Sequence, residues 1–220
     1  MFIAPDREFI FVHAPKTGGT ALMLALEARA QKNDILIGDT PKAIKRKNRW
    51  KKATARGRLW KHSTLADIEG LVDEAFIASA FVFTIVRNPW DRMVSYYHWL
   101  RAQSYDHPAV AIAKAKEFGD FVCDPLIAAS LSASPFASYV TSSDGVERCD
   151  LFLRQEHLAE DIKALETQFG FRLELPERVN TSERRADYRS YYSDAASDAV
   201  AVYCGEDIGR FGYGFGGGIL

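Results

Sequence analysis

Phe9-Ile10-Phe11-Val12-His13-Ala14-Pro15-Lys16-Thr17-Gly18-Gly19-Thr20, continuing into the Ala- and Leu-rich stretch from Ala21 to Ala30, reads as strand, loop and helix. Four apolar residues lead into a Pro/Gly-rich turn, and beyond it Leu22, Met23 and Leu26 suit an inward helix face. The glycines let backbone N–H groups converge on an anion, the helix N-terminus adds its positive end, and Lys16 adds a full charge. The segment therefore reads as a phosphate cradle, with a tight turn and a solvated lysine as the alternative. It is not a Walker A loop, because the lysine precedes the glycines instead of following them.

Working outward, Asp34 to Ile37 reads as a second strand, and Ala80 to Val86 as a strand buried on both faces, being apolar throughout apart from Thr84. Thr64 and Asp67 form a capping-box pattern, and Leu65, Ile68, Leu71, Val72 and Phe76 follow at helical spacing, which predicts a helix there. Asn88 and Pro89 supply an N-cap and a first helical position for a helix running through Leu100. Helices are also expected over Ala109 to Lys116, Leu158 to Phe169 and Ala195 to Phe211, with a strand at Leu151 to Leu153. Leu126 to Tyr139 gives no clear pattern. Strands alternating with helices indicate an α/β domain with a mainly parallel central sheet covered by helices on both faces. At 220 residues a single domain over 1–220 is expected, with 212–220 as a flexible, glycine-rich tail.

A second loop at a strand end is Arg87-Asn88-Pro89-Trp90-Asp91-Arg92-Met93-Val94-Ser95. In open α/β sheets ligands collect outside the carboxyl ends of strands, and both loops meet that condition. Arg87 would sit at the strand end, and Ser95, two turns into the helix, could offer its hydroxyl to the same anion. Two separated phosphate sites point to a ligand with phosphates at both ends. A cap or surface ion pair is the alternative for Arg87 and the expectation for Arg92, while Trp90, Tyr96, Tyr97 and Trp99 are expected in the core.

Composition excludes disordered, collagenous and coiled-coil classes, with 47% hydrophobic and 26% charged residues. Three widely spaced cysteines, Cys123, Cys149 and Cys204, argue against a disulfide framework or zinc site and for a reducing compartment. With no leader-like or membrane-spanning segment in the sequence, a cytoplasmic location is expected. The net charge of −1 conceals an asymmetry: Lys42 to Lys61 holds six lysines, four arginines and no acid, so the other 200 residues carry −11. That segment is either a solvated flap or a rim that draws in an anionic acceptor.

The two loops together resemble the sulfotransferases that use 3′-phosphoadenosine 5′-phosphosulfate (PAPS). The P-K-T-G-G-T run is similar to their 5′-phosphosulfate loop and R-N-P-x-D-R-x-x-S-x-Y to their 3′-phosphate element; the likeness is to the carbohydrate (Golgi-type) and bacterial branch. Weaker likeness extends to Leu153–Leu158, to Asn180-Thr181-Ser182 and to the closing segment from Tyr203 to Tyr213. The resemblance implies a P-loop-like three-layer fold. It implies that Pro15, Lys16, Thr17, Gly18, Gly19 and Thr20 hold the 5′-phosphosulfate, with Lys16 stabilising charge on the leaving phosphate. It also implies that Arg87 and Ser95 bind the 3′-phosphate. Relatives in this branch carry a histidine before a helix, which makes His62, in Trp60-Lys61-His62-Ser63-Thr64, the choice for catalytic base. His13 is expected to shape the loop, and His98, His107 and His157 to be structural or solvated. Asn180 to Arg185, including the candidate cofactor ligands Ser182 and Arg184, is either a cover over the nucleotide or a surface loop.

The function implied is in-line transfer of a sulfuryl group from PAPS, without a metal, to an acceptor hydroxyl of carbohydrate-like character, leaving adenosine 3′,5′-bisphosphate. The competing functions are a P-loop-like nucleotide kinase and a non-enzymatic polyanion-binding module using Lys42 to Lys61. No specific nucleic-acid partner is expected.

Overall fold

Along Phe9–Val12 successive side chains leave the backbone on opposite sides, and both sides are buried: Phe9 and Phe11 enter one apolar cluster, Ile10 and Val12 another. A strand packed this way has no solvent face to make polar, which is why the run is continuously apolar. The computed structural model describes residues 1–176 and 184–217. The chain divides into two compact units, Met1–Val86 with Phe136–Val179 and Arg87–Pro135 with Asn180–Leu220.

In chain order the first unit opens with strands β1 (Phe2–Ala4) and β2 (Phe9–Val12), helix α1 (Gly19–Ala28), strand β3 (Ile35–Leu36), helices α2 (Pro41–Arg46) and α3 (Glu74–Ser79), and strand β4 (Phe81–Val86). The chain then builds α4 (Pro89–Arg101), α5 (Pro108–Ala115), α6 (Phe118–Val122) and α7 (Pro125–Ser132) of the second unit. It returns to the first for α8 (Phe136–Tyr139), β5 (Leu151–Arg154) and α9 (Leu158–Phe169), and ends in the second with α10 (Asp194–Tyr203) and α11 (Gly205–Phe211).

The first unit is a three-layer α/β arrangement. Its sheet has the order β3-β1-β2-β4-β5. β2, β4 and β5 are parallel, with Phe9 opposite Phe81 and Phe83 opposite Leu151, and β1 runs antiparallel to β2 and β3. On one face Phe2, Phe9, Phe11, Phe83 and Leu153 pack against Leu22 and Leu26 of α1 and Ile162 and Leu165 of α9. On the other, Ile3, Ile10, Val12 and Val82 pack against Leu65, Ile68, Ile77 and Val140. Each fully buried phenylalanine contributes about 1.5–3 kcal/mol.

β1 is absent from the sequence expectation. Three residues are too few to show a period, and they become a strand by pairing, Phe2 with Phe11 and Ile3 with Ile10. The capping box at Thr64 forms in both directions, Asp67 N–H donating to Thr64 Oγ1 at 3.1 Å and Thr64 N–H to Asp67 Oδ2 at 2.8 Å. The helix predicted behind it does not continue. Only a 3-10 turn, Ala66–Ile68, follows; Gly70 takes a left-handed φ of +85°, and Asp73 caps the new helix α3 by accepting from Ala75 N–H.

The basic segment is anchored at its start. Thr40 caps α2, Arg46 donates to the carbonyls of Gln31 and Asp34, and the Trp50 indole N–H donates to Leu36 O at 3.1 Å. Trp50 is buried. Beyond it the backbone is tied again, Arg56 N–H donating to Glu69 O at 2.8 Å and Gly57 N–H to Asp67 O at 3.1 Å.

The second unit is helical. α10 packs against α4, α6 and α7, and α5 against α4 and α6. Asn88 and Pro89 start α4 as their types dictate, Asn88 Oδ1 accepting from Trp90 N–H at 3.0 Å. Trp90 and Tyr97 are core residues; Tyr96 and Trp99 are partly covered and stack on each other. The patternless stretch from Leu126 to Tyr139 is two helices, α7 and α8. The single helix expected over Ala195 to Phe211 is broken at Cys204.

Arg92, expected as a cap or in a surface ion pair, is buried and so is not at the surface. The tail, expected to be loose, is docked through Gly217: Tyr213 is buried, and the Phe215 ring packs against Trp90, Tyr188 and Tyr192. Asn88 and Tyr188 also donate to the carbonyls of Gly214 and Phe215. Glycine content argues for freedom there, but the side chains of Tyr213 and Phe215 fix the segment.

Candidate active site

The loop between β2 and α1 belongs to the first unit. Lys16 and Gly18 both take left-handed φ values, +65° and +78°, on either side of Thr17. Thr17 is fully buried and its hydroxyl donates to Ala14 O at 2.9 Å, closing the turn from inside. Gly18 caps α1 without a side-chain acceptor. Among the described residues, none accepts a hydrogen bond from the N–H groups of Thr17, Gly18, Gly19 or Thr20. Four successive donors at the positive end of a helix, with a lysine in the same turn, are the groups that an anion cradle requires.

Gly19 is required by a close approach. A Cβ there would lie 2.5 Å from His13 Cδ2 and 2.8 Å from its Nε2. The His13 ring, itself buried and stacked on Phe11, thus lies directly against the start of α1. Gln155, just past β5, borders the loop from the other side, its Cγ 3.3 Å from where a Cβ on Gly18 would stand. Gln155 lies in the stretch of weaker family likeness, which does not itself mark it as a loop neighbour; the parallel pairing of β5 with β4 brings it there.

His13 also holds His62. The Nδ1 of His62 lies 2.7 Å from the His13 carbonyl oxygen, and their rings are 4.9 Å apart at 73°. A carbonyl can only accept, so Nδ1 carries the proton and the lone pair lies on Nε2. Burial pushes the His62 imidazole down to about 4, against the opposing pull of its bond to the His13 carbonyl. Burial likewise drives His13 well below its ordinary value. Trp60, an exposed aromatic, stands perpendicular to His62 with centroids 5.0 Å apart, and the Arg58 guanidinium lies over its ring. Buried Ser63 fixes this turn: its hydroxyl accepts from Trp60 N–H at 2.9 Å and lies 3.0 and 2.8 Å from the carbonyls of Arg58 and Trp60.

The second loop's residues lie in the second unit. Arg87 is buried and donates to Asp91 from Nε at 2.9 Å and Nη2 at 2.5 Å. Arg184 donates to the other oxygen of Asp91 at 2.6 Å. Asp91 and Ser95, four residues apart within α4, share one face of the helix, and Arg87 comes just before its N-cap. Asp91 carries no role in the sequence reading, although its spacing from Arg87 was visible; Arg184 comes from far along the chain, and no local pattern links the two. Arg185 turns away, its backbone N–H donating to Tyr191 and its guanidinium to Ser190 O. Asn180, Thr181 and the candidate ligand Ser182 lie outside the described residues.

Of the other histidines, His107 caps α5 through Nδ1, His157 lies 3.9 Å from Glu160, and His98 packs on Tyr191. Among the described residues no group of three or more His, Cys, Asp or Glu side chains is arranged to hold a metal ion.

The sequence model of a family described as the sulfotransferase family matches residues 1–213. Comparison with curated proteins gives no match. Among solved structures, the chain is similar to the mouse sulfotransferase SULT7A1 complexed with PAP. The identity is 16% and the TM-score 0.48, covering 92% of this chain and 84% of that one.

Proposed function

The chain belongs to the sulfotransferase family, and on that premise we propose that it moves a sulfuryl group from PAPS to an acceptor hydroxyl, with His62 as the base. When bound, PAPS supplies a sulfuryl group activated by a phosphate leaving group. The observation that carries this reading is the run of four N–H groups from Thr17 to Thr20 with no described acceptor, opening α1 beside Lys16. A methyl group at Gly19 would collide with His13, so glycine there lets the start of α1, with its open amides, pack directly on that ring.

Transfer forms a bond from acceptor oxygen to sulfur and breaks the bond from sulfur to the phosphate oxygen, which keeps the electron pair. Lys16 and the loop amides meet that developing charge. His62 Nε2 takes the acceptor's proton. At pH 7 His62 is neutral, so its lone pair is available in every molecule. An anion bound nearby favours the imidazolium and so strengthens the base as the donor site fills. His13 links the two functions, its ring bracing Gly19 and its carbonyl orienting His62. Arg87, Ser95 and Arg184 are the residues that hold the 3′-phosphate.

A carbohydrate-like, anionic acceptor is the substrate proposed: Trp60 offers an exposed aromatic face beside His62, with the Arg58 guanidinium over its ring, and the basic segment Lys42 to Lys61 leads up to the base in the chain. Cys123, Cys149 and Cys204 are free thiols, in keeping with a cytoplasmic location.

The test is transfer of labelled sulfate from PAPS across a panel of hydroxyl acceptors. His62→Ala should abolish turnover while leaving the affinity for adenosine 3′,5′-bisphosphate nearly unchanged. Retained turnover would place the base elsewhere.

A further inference from the structure

Asp91 is gripped from two directions. Arg87 reaches its Oδ2 with two donors, Nε at 2.9 Å and Nη2 at 2.5 Å, and Arg184 reaches its Oδ1 with Nη1 at 2.6 Å. The side chains are 9%, 15% and 18% exposed for Arg87, Asp91 and Arg184, so these are shielded, charge-assisted contacts. Arg87 lies four residues before Asp91, whereas Arg184 lies 93 residues after it.

We propose that Asp91 is a positioning residue that assembles Arg87 and Arg184 into one two-guanidinium clamp for the 3′-phosphate of the donor. The inference rests on the reading of Arg87 as a 3′-phosphate ligand.

Among the described residues Arg87, Arg184 and Asp91 sum to +1, which suits a phosphate carrying about −1.5 to −2. Each arginine has a long side chain whose freedom is lost when it binds an anion. One carboxylate oxygen holds each guanidinium, so that ordering is in place before the ligand arrives. A guanidinium has five donors, and Asp91 takes two from Arg87 and one from Arg184. Ser95 stands one turn beyond Asp91 on the same face of α4.

The role has a sign that charge alone would reverse. A carboxylate beside an anion site repels the anion, so its neutralisation with no other change would tighten binding. Loss of orientation weakens it.

The experiment is calorimetric titration of the full chain and its Asp91→Asn variant with adenosine 3′,5′-bisphosphate and with adenosine 5′-monophosphate, which lacks only the 3′ group. The wild type should prefer the bisphosphate, and Asp91→Asn should cut that preference about tenfold, through weaker bisphosphate binding alone. A general loss of structure would weaken both ligands together. Arg184→Ala should also cut the preference, and the double variant should lose less than the sum of the two. An unchanged or enlarged preference in Asp91→Asn, or strictly additive losses, would overturn the proposal. If Asp91→Asn does not fold, Asp91→Glu keeps the charge but moves the carboxylate by one methylene. It should show the same reduced preference, and full preference there would equally overturn the role. A wild type with no preference for the bisphosphate would instead sink the reading of Arg87 on which the proposal stands.

Discussion

Gly19→Ala tests the joint between the phosphate loop and the histidine pair. The added methyl group would meet His13 Cδ2 at 2.5 Å, His13 Nε2 at 2.8 Å and Phe11 Cζ at 3.3 Å. The His13 ring has nowhere simple to go. Phe11 stacks on it at 5.8 Å, the His62 ring stands against it at 4.9 Å, and the residue is buried. Relief must come from shifting the loop or the first turn of α1, and overpacking of this kind costs about 1–3 kcal/mol. For a chain of this size that lowers the melting midpoint by roughly 5 °C.

The same shift moves the amides of Thr17 to Thr20 and the carbonyl that orients His62. Affinity for adenosine 3′,5′-bisphosphate should therefore fall about tenfold or more, the worth of one charge-assisted hydrogen bond. Gly209→Ala supplies the contrast. It lies within α11 with nothing within 4 Å of the new methyl group, and should stabilise by up to about 1 kcal/mol. Thermal melts and calorimetry on both variants give the answer. A Gly19→Ala protein with the wild-type midpoint and wild-type affinity would refute the close approach.

Two further outcomes follow from the same contacts. His62 titrates at about 4 in the folded chain and near 6.5 when unfolded, so the unfolded chain binds the proton more tightly. Stability should be full above about pH 6.5 and fall by at most about 3 kcal/mol toward pH 4; denaturation series across that range should show a shallower fall in His62→Gln. Phe215→Ala should cost about 2 kcal/mol in chemical denaturation through lost contact with Trp90, Tyr188 and Tyr192, whereas a free tail would cost nothing.

What could be read from the sequence was set by local chemistry. Phe9–Val12 and Phe81–Val86 are apolar runs between turn signals, and Asn88-Pro89 starts a helix for reasons contained in the two residues. Where the outcome depends on distant partners, local reading failed. Phe2–Ala4 is a strand only because β2 and β3 pair with it. The Thr64 box is a genuine cap, yet the left-handed Gly70 ends what it starts.

The same division holds at the site. The cradle of Lys16 to Thr20 is written in consecutive residues, and the fold supplies its left-handed turns and open amides. The brace is not so written. That one residue, His13, should press on Gly19 with its ring and hold His62 with its carbonyl is a tertiary fact. So is the meeting of Arg184 with Asp91, since neither residue's neighbours in sequence point to the other.

The most direct measurement of sulfuryl-donor use is calorimetric binding of adenosine 3′,5′-bisphosphate compared with ATP. The bisphosphate should bind more tightly than ATP, without magnesium, and Lys16→Ala should weaken it. Equal affinity for ATP, or ATP turnover that requires magnesium, would contradict the assignment and return the loop to a kinase-like role.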